Sequence, residues 1–158
     1  MNDLVHTILA AISGLVKRRP AAGSKDRDPE AATAILCVLG EEQDRAVMAE
    51  ICRSNQWRVF FAAGQEHGRE ILRRGSIQIV LLDRDLAEND WRRVMTTYAA
   101  ESSRACVLLV SNVVEDYLWN EVVSHGGYDV LSKPLRQVEA ARTVRLARSY
   151  WMTARATT

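Results

Sequence analysis

Five short apolar segments separated by helix-period segments are the strongest constraint on what this chain can become. Ala34–Leu39, Trp57–Ala62, Gln78–Asp83, Ala105–Ser111 and Tyr128–Leu131 are each four to seven residues long and are apolar nearly throughout. Segments this short and this continuously apolar read as strands buried on both faces. Between them, helical patterns run over about 43–54, 65–74, 89–100 and 114–125, and a long last one runs from Leu135 to about Met152. Alternating strand and helix gives a parallel sheet covered by helices on both sides. The expected fold class is therefore α/β, a five-stranded parallel sheet with helices on both faces.

Residues 1–30 follow different rules. Leu4, Val5, Ile8, Leu9, Ile12, Leu15 and Val16 fall on one face of a 3.6-residue period. Asn2 and Asp3 suit its start, Lys17–Arg19 suit its end, and Pro20 stops it. The expected organisation is an amphipathic N-terminal helix over 1–19, a linker over 20–31, a domain over 32–152 and a C-terminal tail over 153–158. The basic cluster follows the apolar stretch, which is the reverse of a signal peptide. A lone amphipathic helix of this length is marginal in water, so its stripe needs a partner surface. Self-association through this helix or docking on a partner is expected ahead of a membrane surface, because its basic residues gather at one end.

Composition narrows the function classes. With 21 Lys plus Arg against 20 Asp plus Glu, the net charge is +1 and gives no global case for nucleic acid. No run approaches the length of a membrane span. Cys37, Cys52 and Cys106 stand apart without a CxxC pair, which speaks against zinc and for a reduced, cytoplasmic compartment. There is no GxGxxG and no GxxxxGK[ST], so nucleotide chemistry has no motif behind it.

In an open parallel sheet the site lies beyond the carboxyl ends of the strands. Strand three ends at Asp83, strand four at Ser111 and strand five in Leu131-Ser132-Lys133-Pro134. A carboxylate, a hydroxyl and an ammonium at one edge suit a carboxylate that accepts a phosphoryl group, with Lys133 pairing the new charge and Ser111 donating to a phosphoryl oxygen. A turn-forming serine and a surface lysine are the plainer readings of those two residues taken alone.

The segments ILCVLGEEQDR, IVLLDRDL, VLLVSN and GGYDVLSKPL, in this order and spacing, resemble the receiver domain of two-component response regulators over about residues 32–152. The resemblance implies sheet order 2-1-3-4-5 and a signalling domain rather than an enzyme. It implies Asp83 as the phosphoacceptor, supplied by a histidine kinase or phosphotransfer protein, and Ser111 and Lys133 as the residues that sense the phosphoryl group. It also implies a cis bond before Pro134 and a Mg²⁺ ion. With no output domain expected after the last helix, output would pass by protein–protein contact to a partner the sequence does not name.

Two departures stand out. Where the family carries two adjacent acids after the first strand, this chain has Leu39 and Gly40. Asp83, Asp85 and Glu41 are left as candidate Mg²⁺ ligands, and both a weakened site and one rescued by a nearby acid remain open. Where the family often carries Tyr or Phe three residues before the lysine, this chain has Val130, and Tyr128 is expected two residues away on the same strand face. A phosphorylation-independent receiver acting as an oligomerising or scaffold module is the alternative function. A small α/β enzyme is a third class, without a catalytic pair to support it.

Overall fold

The computed structural model describes residues 33–86, 90–101 and 105–156. The five expected strands are all present: β1 (Ala34–Val38), β2 (Arg58–Phe61), β3 (Ile79–Asp83), β4 (Cys106–Ser111) and β5 (Asp129–Ser132). They form one parallel sheet in the order β2-β1-β3-β4-β5. The helices are α1 (Glu42–Ser54), α2 (Gln65–Arg74), α3 (Trp91–Glu101), α4 (Leu118–Ser124) and α5 (Gln137–Ala156), with one 3₁₀ turn at Arg84–Leu86.

Successive side chains of a strand point to opposite faces, and here each face has its own core. Ile35, Cys37, Leu81, Leu108 and Val110 meet Met48, Ile51 and Cys52 of α1 and Ala140, Val144 and Ala147 of α5. Leu36, Val38, Val80, Leu82 and Leu109 meet Leu72 of α2, Met95 and Tyr98 of α3 and Leu118 and Val122 of α4. β1, β3 and β4 are buried along their whole lengths, and each large aliphatic side chain so enclosed contributes on the order of 1.5–3 kcal/mol. All three cysteines are buried free thiols. Burial pushes Cys52 up to about 12 and Cys106 up to about 11, so neither is a ready nucleophile.

Local signals end the elements. Asp90 accepts a hydrogen bond from the Arg92 amide at 3.1 Å and caps the start of α3. α4 stops at Ser124, and the turn out of it passes through Gly126, whose φ of +88° a residue with a Cβ rarely adopts. A Cβ on Gly127 would lie 2.5 Å from Val122 and 2.6 Å from the Met95 sulfur, so only glycine lets β5 begin this close to α3 and α4.

Three expectations need correction. The helix expected over 114–125 begins only at Leu118. The Ser111 hydroxyl donates to the Val113 carbonyl and accepts from the Val113 amide, and this local turn, followed by a Leu118 N–H to Glu115 carbonyl turn, diverts the backbone that a helix would need. The tail expected from residue 153 is helical to Ala156, because nothing in Thr153–Ala156 breaks the helix of α5. Tyr128 lies before β5 rather than in it and packs on the α1–α5 core, whereas Val130 packs on the opposite one. The N-terminal helix over 1–19 and the linker over 20–31 lie outside the described residues.

Candidate functional site

The carboxyl edge of the sheet gathers most of the residues singled out above. Parallel register sets Asp83 beside Val110 and Ser111 beside Ser132, so the ends of β3, β4 and β5 open on one cleft. Its mouth, of about 260 Å³, is lined by Glu41, Gln43, Asp44, Asp85, Asn112, Lys133 and Pro134. The Lys133–Pro134 peptide is cis.

Asp83 is 1% exposed, and its carboxylate is fully engaged. Oδ1 accepts from the Lys133 ammonium at 2.8 Å and from the Asp85 amide at 3.0 Å, and Oδ2 accepts from the Gly40 amide at 3.1 Å. Lys133 also donates to Asp85 Oδ2 at 2.7 Å. One ammonium is thus shared by two carboxylates. Burial pulls the Lys133 pKa down, but the hydrogen bonds and charges of Asp83 and then Asp85 outweigh it, and the net shift is upward. Lys133 therefore stays charged at any physiological pH.

Ser111 is brought to this edge but is spent locally. Its buried hydroxyl closes the turn with Val113 at 2.7 Å, which is the turn-forming role of a serine. Glu41 is exposed at the start of α1 and caps nothing with its side chain.

The donor set does not fit Mg²⁺, which takes several hard oxygens in a near-octahedral shell. Leu39 is 1% exposed and points into the α1–α5 core with Ile35 and Cys37. Gly40 offers no side chain, and its amide already holds Asp83 Oδ2. The carbonyls of Leu39 and Gly40 both accept from Arg45 Nη1, at 2.8 and 3.2 Å. Among the described residues, Asp83, Asp85 and Glu41 are not gathered into a group able to hold a metal ion.

Sequence reasoning missed Asp44. This buried acid in the first turn of α1 accepts from the Leu135 amide at 2.8 Å and so ties the loop after Lys133–Pro134 to α1. Its Oδ2 has no hydrogen-bond partner among the described residues. An acid one position before Arg45 in an otherwise exposed first turn carries no local signal of this contact, whose partner is 91 residues away.

No family model matches the chain, and no curated protein matches it in sequence. Solved structures do match in shape. The signal receiver domain of an HD domain-containing protein from Pseudomonas fluorescens Pf-5 superposes with a TM-score of 0.72 at 17% identity, covering 80% of this chain and 94% of that one. A response regulator from Thermotoga maritima gives 0.69 at 19% identity over 75% and 98%. A CheY-like response regulator receiver domain protein from Methanospirillum hungatei JF-1 gives 0.67 at 13% over 78% and 99%. The fold is that of response-regulator receiver domains. In this receiver fold, Asp83 ends the third strand and Lys133 follows the fifth, as the sequence resemblance implied. Among the described residues no helix is long and apolar enough to cross a membrane.

Proposed function

We propose that this chain is a receiver-type signalling module in a two-component phosphorelay, with Asp83 as its single acceptor position and with output through protein–protein contact. The observation that carries this reading is the Asp83–Lys133 pair at 2.8 Å, at the mouth of the sheet's carboxyl edge. A histidine kinase or phosphotransfer protein supplies the phosphoryl group. An Asp83 oxygen attacks the phosphorus, the phosphorus–nitrogen bond of the donor phosphohistidine breaks, and the imidazole leaves. Lys133 and the amides of Gly40 and Asp85 are the positive groups that this chain brings to the incoming charge.

A second reading is supported by Leu39 and Gly40. With one side chain in the core and the other absent, the cleft lacks the pair of acids that the resemblance leads one to expect, and the domain works as a phosphorylation-independent interaction module. Treatment of the purified chain with acetyl phosphate and Mg²⁺, followed by intact mass, separates the two. The first reading expects a phosphoryl adduct that Asp83→Asn abolishes and Asp85→Asn leaves in place. An adduct that survives Asp83→Asn shows a different acceptor, and an unlabelled parent chain leaves the second reading standing.

A further inference from the structure

Lys133 lies in the short link 133–136, which joins β5 to α5 and belongs to neither. Its ammonium rides on a flexible stem, yet it is held 2.8 Å from Asp83 and 2.7 Å from Asp85. A side chain with that much rotational freedom reaches a fixed point only from a fixed backbone. Upstream, the Lys133 amide donates to the Ser111 carbonyl at 3.0 Å. Downstream, Pro134 has no N–H to give. The next donor is the Leu135 amide, and it goes to Asp44 Oδ1 at 2.8 Å. Asp44 is therefore the first backbone anchor after Lys133.

The other half of the ion pair is tied to the same turn of α1. Arg45 Nη1 donates to the carbonyls of Leu39 and Gly40, and the Gly40 amide donates to Asp83 Oδ2. Two adjacent residues of one helical turn thus reach both partners, Arg45 by way of Gly40 and Asp44 by way of Leu135.

We infer that Asp44 is the positioning residue of this cleft: through the Leu135 amide it fixes the backbone that carries Lys133, and so sets the ammonium against Asp83 and Asp85. The ordinary role of an acid at a helix start does not account for it. Among the described residues, its hydrogen bond goes to Leu135 and not to an amide of its own turn. The positive end of α1 offsets part of the cost of burying it. Its Oδ2 is nevertheless buried without a hydrogen-bond partner among the described residues, and a carboxylate in that state is a poorer packing element than an apolar side chain. What Asp44 supplies in return is the bond to Leu135. The inference stands on the geometry of Lys133, whether or not Asp83 is phosphorylated.

An amide oxygen can accept the same bond, so two substitutions separate the bond from the charge. Asp44→Asn should keep Lys133 in place, and Asp44→Leu should release it. The chain has three lysines, Lys17, Lys25 and Lys133, so the reactivity of each can be read by peptide mass. The full chain is given a limiting dose of formaldehyde with a borane reductant, and Lys25 serves as the internal reference. Methylation of Lys133 should be about tenfold faster in Asp44→Leu than in the parent and within about twofold of the parent in Asp44→Asn, as expected for the loss or retention of one hydrogen bond. Val144→Ala, a cavity in the same core that leaves the Asp44–Leu135 bond untouched, should lower the urea midpoint and leave Lys133 protected. Should Asp44→Leu not fold, Asp44→Ala removes the same oxygens and is read in its place.

Equal Lys133 reactivity in the parent and Asp44→Leu overturns the inference. Exposure by Asp44→Asn overturns it in favour of charge, and exposure by Val144→Ala overturns it in favour of general stability. The consequence for phosphoryl transfer rests on the acceptor reading: Asp44→Leu should slow acetyl phosphate labelling of Asp83, and should not slow it further in a Lys133→Ala background. A parent chain that takes no label counts against the acceptor reading alone, and Lys133 reactivity then decides the inference. A slowing that persists without Lys133 overturns the positioning role.

Discussion

Two ion clusters in this molecule have opposite compositions. At the sheet edge, one ammonium, Lys133, serves two carboxylates, Asp83 and Asp85. Between α2 and α3, one carboxylate, Glu101, serves two guanidinium groups, Arg69 at 2.5 Å and Arg73 at 2.9 Å. The surface cluster is a clamp: its partners come from two helices, remain open to water and are screened by it. Its effect is visible in Glu101, which the Arg69 hydrogen bonds, against some burial and with help from Arg73, hold down at about 2. The cleft cluster has Asp83 at 1% and Lys133 at 7% side-chain exposure, so neither can be relieved by solvent if the other is lost. Equal counts of ion pairs therefore carry different weight. The clamp fastens two helices, whereas the cleft stores a charge balance that any ligand or modification must rearrange.

The contrast can be broken in order of expected effect. Leu39→Asp, which supplies an acid at the family position, should cost about 4 kcal/mol or more, because it removes a fully buried leucine and sets an unpaired charge in the α1–α5 core. Urea unfolding measures it, and a variant as stable as the parent would show that this side chain can turn toward the cleft. Lys133→Met should cost about 3 kcal/mol by leaving Asp83 buried without its counter-charge. The same variant should bind divalent cations more tightly than the parent, because the ammonium no longer repels them, read by amide shifts of Gly40 and Asp85 in a Mg²⁺ titration. A parent chain that already shows saturable shifts would refute the misfit argued from the donor set. Glu101→Gln should have the smallest effect at neutral pH. Because the folded pKa of Glu101 lies below the usual carboxylate value of about 4.3, the clamp's contribution is present above that value and fades as pH falls toward about 2. The substitution should remove this modest, solvent-screened contribution at neutral pH, flatten the stability profile in that window and make little difference below about pH 2.

The parallel sheet was legible because burial on both faces leaves uninterrupted apolar runs, and ILCV, IVLL and VLLV have little else to become. Asp83 and Lys133 were legible for a related reason: a polar residue that closes such a run must surface at the strand's end. Leu39 reads as a cleft position when it is matched to the family's acids, although period-2 alternation from Ile35 through Cys37 already directs it to the core. The region after Ser111 was illegible. Val113, Val114 and Tyr117 carry helix-compatible periodicity, but a hydroxyl-closed turn competes with the helix and wins, and hydrophobic pattern does not register that competition. Asp44 was illegible because its whole role lies in a contact across most of the domain.

That contact also sets when the domain can become whole. Asp44 binds the Leu135 amide near the start of α5, and Thr33 is held by Arg148 near its end, so the earliest described strand and helix both wait on the last helix. Ribosomes deliver the chain in one direction. Until α5 has emerged, the core between α1 and the sheet lacks the part of its cover that Ala140, Val144 and Ala147 supply, and a stalled or shortened nascent chain presents an unfinished face of the sheet to the cell's quality-control machinery.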